Sequence, residues 1–288
     1  MRLRILLSTL IAALVFTSCS SDPTSLDGRA AEIYPGECSS GNGRSVTIYS
    51  GRTENLILPV LEAFGCETGT DVQVRWGSST DLALLINEEG DKTQADVFLS
   101  RSPGPVGYLE SKGLLGTISS DVLSLVDEQN HSSAGTWVGF SGRKRVMVYN
   151  IDEYSPEDLP ESVFDLTGEE YRNKVALPGT NGSAHRAENY DFNNEDIGSL
   201  LIITAATILD SSTNVEASED LLEYLLSAPV QQYFTDRTFE YPLAAGVSPN
   251  STLPELTALE IGSVNFDELG GGFEEASRII EASGILNR

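Results

Sequence analysis

The chain has 288 residues, and its 18 Lys and Arg against 43 Asp and Glu give a formal net charge of −25. That balance argues against nucleic acid as a partner, because neutralising phosphates needs clustered cations. The acid is spread along the whole length with no long block of like charge, so the plain reading is solubility in a salty habitat, with cations favoured over free anions at long range.

Arg2 and Arg4, an unbroken apolar run to Phe16 and small residues before Cys19 have the layout of an export signal, too short for a good membrane span. Thr17-Ser18-Cys19 resembles a bacterial lipobox, in which the cysteine is acylated and becomes the new N-terminus; a soluble secreted protein cut near the same place is the alternative. Residues 1–18 are therefore set aside as a signal peptide and the chain is expected to work outside the cytoplasm. The stretch 19–44, rich in Ser, Asp, Gly, Pro and Asn, reads as a flexible tether. Outside the cell Cys38 and Cys66 are candidates for a disulfide pinning that tether to the end of the first helix, or they stay two free thiols. With no CxxC and only two histidines in the chain, no zinc site is expected. About 270 residues remain, enough for two modest domains.

From Ser45 the pattern alternates. The run Ser45–Gly51 is β-branched and ends in glycine, the mark of a buried strand running into a loop. Leu56, Ile57, Val60, Leu61 and Phe64 recur at helical spacing after Thr53 as N-cap, with Pro59 expected to kink the helix. A strand at 71–76, a helix from Thr80 to Glu89 closed by Gly90, and a strand at 95–100 complete a βαβαβ unit, which predicts an α/β fold with parallel strands. A helix follows the Pro/Gly turn at 102–107, and 137–150 reads as one or two strands. Two consecutive helices broken at Pro229 fill 215–243, and an amphipathic helix occupies the tail from Gly271. The segment 177–196 carries no apolar period, although Asn181-Gly182-Ser183 looks made to start a helix.

Enzyme signals fail one after another. Gly139–Arg143 nearly matches a nucleophile elbow, but Arg143 stands where glycine is required. There is no P-loop, GxGxxG, HExxH or EF-hand pattern. His131 and His185 lie in polar stretches, more typical of solvated loop residues than of a general base. What remains is a set of polar and cationic loops: Arg52 and Thr53 after the first strand, Arg101 after the third, Ser141 and Arg143 on the next, and Asn181, Gly182 and Ser183 later. The carboxyl ends of strands are where ligands sit in such sheets, and helix starts favour anions. Together they point to a cleft for a small anion or a metal with an anion.

Three separated stretches, 46–100, 137–150 and 224–247, closely resemble the iron(III)-type extracellular solute-binding proteins of ABC importers. The resemblance implies a two-lobed, type II periplasmic-binding-protein fold that closes on ferric iron with a synergistic anion. It implies no catalytic cofactor, no enzyme activity, a monomer, and permease and ATPase subunits as partners. Arg52 looks like the arginine that contacts the anion in relatives with this loop. Thr53 stands where some relatives place a histidine ligand, and Arg101 where some place a glutamate. Asn181, Gly182 and Ser183 match the turn that grips the anion in some members and supplies a tyrosine in others. Ser141, Arg143 and Tyr149 match a strand near the hinge, with Tyr149 read as structural. After that turn the chain jumps to residues like those that follow the family's paired iron-binding tyrosines. Roughly 60 residues of the second lobe are therefore missing relative to the family, leaving that lobe small for an independent core. Tyr190 is the one nearby tyrosine, and nothing aligns it with the lost pair.

The expected organisation is thus lobe 1 over 45–149 and 202–252, and an incomplete lobe 2 over 150–201 and 253–288. The expected function is a lipid-anchored receptor for ferric iron. The alternatives are a receptor for a small organic anion or metal chelate using Arg52, Arg101 and Arg143, and a shortened homologue that binds nothing.

Overall fold

A computed structural model describes residues 25–175, 187–192, 196–256, 262 and 264–284. The chain enters through a short helix, α1 (Gly28–Ile33), whose Ala30 and Ile33 are buried. β1 (Ser45–Ser50), α2 (Glu54–Thr68), β2 (Asp71–Trp76), α3 (Ser79–Glu89) and β3 (Val97–Ser100) then realise the predicted alternation, with Pro59 inside α2. Both helices stop at glycines of positive φ, Gly69 at 72° and Gly90 at 53°, a geometry that glycine adopts without the Cβ penalty. Ser78 caps α3 by accepting from the Asp81 amide.

α4 (Pro103–Ser111) and the single turn α5 (Ser120–Leu123) lead to β4 (Val138–Lys144) and β5 (Met147–Asn150). β6 (Ala187–Tyr190) and β7 (Leu201–Ile208) follow, then α6 (Val215–Leu225), α7 (Ala228–Thr238), β8 (Tyr241–Pro242) and α8 (Phe273–Ser283). Six strands form one sheet in the order β2-β1-β3-β7-β4-β8, and β5 and β6 form a separate two-stranded ribbon. β1 pairs in parallel with β2 and β3, while β7 lies antiparallel between β3 and β4. β4 therefore points the same way as β1 and β3, so the loops after these three strands meet on one edge of the sheet.

β1 and β3 are central and bury Val46, Ile48, Val97, Phe98 and Leu99 completely, whereas β2 at the sheet border alternates between exposed and half-buried positions. That contrast follows from burial on two faces against one. The core cluster gathers Phe64, Phe98, Trp137, Phe140 and Phe234 with the aliphatic residues of β7. A register shift between Gly139 and Ser141 bulges β4 at Phe140. The Phe140 carbonyl is taken by the buried Gln231 amide, which also donates to the Leu225 carbonyl and accepts from the Leu243 and Ala244 amides. A buried amide with all these partners satisfied ties α7, β4 and the chain after β8 together, where one left unpaired would destabilise. Asp96 plays the same part between β1 and α6, accepting from the Thr47 amide, Ser212 and Asn214.

The stretch read as a flexible tether is packed from Gly28 onward, because Ala30 and Ile33 are buried and Cys38 is bonded to Cys66. The C-terminal segment, assigned by sequence to the second lobe, lies against α4. Phe273 stacks on Tyr108 at 4.8 Å and Lys112 pairs with Glu274 at 3.1 Å. Composition could not separate these cases: a polar stretch with one apolar residue per turn can still be held by a covalent staple. Among the described residues the core cluster takes none between Phe140 and Ile203; three 3-10 turns lie between Pro156 and Tyr171, and Val148, Phe164 and Val175 are exposed.

The Cys38–Cys66 bond closes a loop of sequence separation 28, so the Cys38→Ala/Cys66→Ala variant should lose about 3.6 kcal/mol by the chain-entropy estimate. Urea unfolding of the two forms checks this; equal midpoints and slopes would mean that the staple constrains nothing.

Candidate binding site

The edge formed by the loops after β1, β3 and β4 collects the cations picked out by sequence. Arg52 follows β1 but is not free. Its Nη1 and Nη2 donate to Glu240 Oε1 and Oε2 at 2.7 and 2.9 Å, and Nη1 also reaches Thr204 Oγ1 at 3.3 Å. Both side chains are almost wholly buried, at 2% and 4% exposure. The guanidinium lies 5.8 Å from the Phe140 ring and 5.7 Å from the Phe234 ring, so the cation faces two aromatic rings as well as a carboxylate. Glu240 is delivered by Phe239, which ends α7 in a left-handed conformation at φ 54°, costing a non-glycine residue roughly 1 kcal/mol or more.

Arg143 is the second cation, and its state differs. It is about a third exposed, its Nη2 donates to the Arg101 carbonyl, and its Nε stands 3.7 Å from Glu240 Oε1. That separation allows Coulomb attraction and no hydrogen bond, and Nε is left without an acceptor in the described residues. Burial pushes the Arg143 guanidinium below its ordinary range; Glu240 offsets part of this, and Arg52, Arg101 and Arg145 push it further down. A guanidinium keeps its proton under such pressure, so the edge holds positive charge at an energetic cost. Arg101 itself is exposed, its amide bonded to Ser79 Oγ at 3.0 Å. Gly51 is required beside it, because a Cβ there would overlap Ser79.

Ser141 is fully buried, in register with Thr204, and its hydroxyl has no partner in the described residues. Among the described residues the buried side-chain atoms left unpaired are Arg52 Nε, Ser141 Oγ, Arg143 Nε and Ser227 Oγ, and the first three belong to this edge. Each such atom carries a desolvation cost that a ligand oxygen could relieve. The edge presents donors and cations, an arrangement that suits an anion.

A family model described as bacterial extracellular solute-binding protein matches residues 92–193. The Fe(3+)-binding periplasmic protein of Serratia marcescens is 21% identical over 334 aligned positions, covering 93% of this chain and 98% of that one. The major ferric iron-binding protein of Neisseria meningitidis is 23% identical, covering 83% and 93%. Over residues 92–193 this chain is similar to the bacterial extracellular solute-binding proteins. Among solved structures, iron-bound HitA from Pseudomonas aeruginosa superposes with a TM-score of 0.74 at 21% identity, covering 82% of this chain and 99% of that one. A Trichodesmium protein in complex with iron and citrate gives 0.67 at 21% identity, covering 83% and 99%. The fold is that of the type II periplasmic binding proteins.

Thr53 sits at the N-cap of α2, exposed and making no capping bond with its side chain. Tyr190 lies on β6 opposite Met147, edge-on to Phe192 at 5.7 Å. Burial first and Glu161 second raise its hydroxyl above the ordinary range, so a metal would have to displace a firmly held proton. Tyr149 donates to Glu188 across the same ribbon, in keeping with a structural role. Asn181, Gly182, Ser183, His185 and Cys19 lie outside the described residues. Among the described residues no group of three His, Cys, Asp or Glu gathers as a metal cage. Glu240 was missed by sequence reasoning; its only signal was a lone acid between a helix end and a short apolar strand, which becomes meaningful once Arg52 is known to be buried.

Arg52 and Arg143 should therefore respond differently to truncation. Arg52→Ala strands a buried carboxylate and is expected to cost about 3–5 kcal/mol. Arg143→Ala removes a half-solvated cation from a positive cluster and should cost under about 1 kcal/mol. Equal losses for the two in urea unfolding would contradict this division between a structural arginine and a free one.

Proposed function

We propose that the protein is the extracytoplasmic receptor of an ABC importer for ferric iron, and that it takes the metal as an anionic chelate or together with a synergistic anion. The observation that carries this reading is the Arg143 guanidinium, held beside Arg101 and Arg145 with a buried, unpaired Nε at the carboxyl edge of the sheet. Ferric iron is a hard cation that prefers oxygen donors, and its carboxylate chelates expose negative oxygens that arginine recognises well. The net charge of −25 opposes steering of an anion from afar, so recognition rests on short-range contacts inside a screening length of about 8–10 Å. Support comes from relatives named for ferric iron over more than nine-tenths of their own length and from a solved neighbour holding iron with citrate.

Closure of two lobes around the ligand is the motion that receptors of this fold use. The second lobe is read as shortened, the alignment to the Serratia protein running over more positions than this chain has residues. Delivery to permease and ATPase subunits, a monomeric state and acylation at Cys19 complete the proposal. A receptor for an iron-free organic anion is the second reading, favoured by the arginine-rich edge.

Titration with ferric citrate, followed by intrinsic fluorescence and by absorbance in the visible, tests the proposal. Saturable binding is expected, weakened about 10-fold or more by Arg143→Ala, as for a lost charge-assisted contact. A charge-transfer band would mean that a tyrosinate joins the coordination. Citrate alone binding as tightly as ferric citrate would shift the assignment to the organic anion, and no binding of either would overturn both. Cys19→Ala should move the protein from the membrane to the soluble fraction; unchanged membrane association would count against the anchor.

A further inference from the structure

The segment from Gly28 to Arg44 lies alongside α2 from its first turn to its last, and what it touches is the machinery of the binding edge. At one end Arg29 Nη1 donates to the Asn55 carbonyl at 3.2 Å, within the first turn of the helix that starts two residues after Arg52. Glu32 Oε2 accepts from Arg237 Nε at 2.7 Å, in the last turn of α7 and three residues before Glu240. Between these contacts Tyr233 of α7 donates to the Leu56 carbonyl at 3.2 Å, and Ala30 and Ile33 of the arm itself are buried. At its other end the arm is fastened by the Cys38–Cys66 bond, by Ser39 donating to the Cys66 and Glu67 carbonyls, and by Asn42 donating to Thr68 and Gly69.

The two chain ends joined in this way have no sequence connection, yet they carry the two halves of the buried pair. We propose that the arm is a brace for the binding edge, with Arg29 and Glu32 as positioning residues that tie the start of α2 to the end of α7 and so hold Arg52 and Glu240 in register. The exposed Glu32–Arg237 ion pair alone is weak; the staple and the burial of Ile33 hold the arm in place, so the polar contacts cost little entropy to maintain. The consequence is that Glu240 stays committed to Arg52, leaving Arg143 available to a ligand. This inference rests on the binding edge described above being the one used in iron uptake.

Hydrogen exchange on the full-length protein and on two variants, Arg29→Ala/Glu32→Ala and Glu32→Ala/Ile33→Ala, separates bracing from general stabilisation. The expected result is faster exchange, by about 10-fold or more, at the Gly51, Leu56 and Glu240 amides, with the β1 and β3 amides unchanged, as for a local opening. Release of ferric citrate should quicken about 3–10-fold in the same variants, interface changes acting mainly on dissociation. Acceleration confined to α1, or spread evenly through β1 and β3, would overturn the brace. Should the unmodified protein fail to bind ferric citrate, the reading of its function fails, while the exchange pattern still decides the brace.

Discussion

The buried pair of Arg52 and Glu240 is the constraint around which the binding edge is arranged. Two charges at 2% and 4% exposure are tolerable in a protein interior only when each satisfies the other, since the desolvation of a lone ion exceeds what neighbouring dipoles return. The bidentate contact, the Thr204 hydroxyl and the flanking Phe140 and Phe234 rings meet that requirement for the guanidinium, with Nε the one donor left over. Because Arg52 follows the first strand and Glu240 precedes the last, the pair also links the two ends of the chain that build the sheet. The left-handed Phe239 is the local cost of bringing the carboxylate there.

The same pair divides the labour among the arginines. One carboxylate cannot satisfy two guanidinium groups bidentately, and Glu240 is already committed to Arg52. Arg143 receives only its residual field at 3.7 Å. A protein with a formal charge of −25 thus keeps a small positive region at one edge of its sheet. Such a region is screened from distant anions and becomes effective only at contact, which favours selectivity over speed of capture.

Much of the fold was legible in the residues because local and global preferences agree. The β-branched run at Ser45–Ser50, the helical spacing of Leu56 to Phe64 and the glycine at 90 each name an element or its end, and the elements appear where those signals put them. The break at Pro229 is read equally well: the proline takes a first-turn position of α7, where its missing N–H costs nothing. The ribbon strand β6 was not legible, since Ala187–Tyr190 has no alternation and depends on pairing with β5. The packed N-terminal arm was hidden for a similar reason, being held by contacts to α2 and α7 far away in sequence.

For the binding edge, sequence determined which side chains are present and that the loops after β1, β3 and β4 carry them. Strand direction and loop position follow from the βαβ pattern, which is a local property. Only the tertiary structure decided which of those cations is spent and which is free. That outcome depends on Glu240, 188 residues from Arg52 along the chain, arriving within hydrogen-bond distance of one guanidinium and just beyond it for another. A difference of about an ångström between two contacts to one carboxylate is set by packing of the whole sheet and its helices, and no local pattern encodes it.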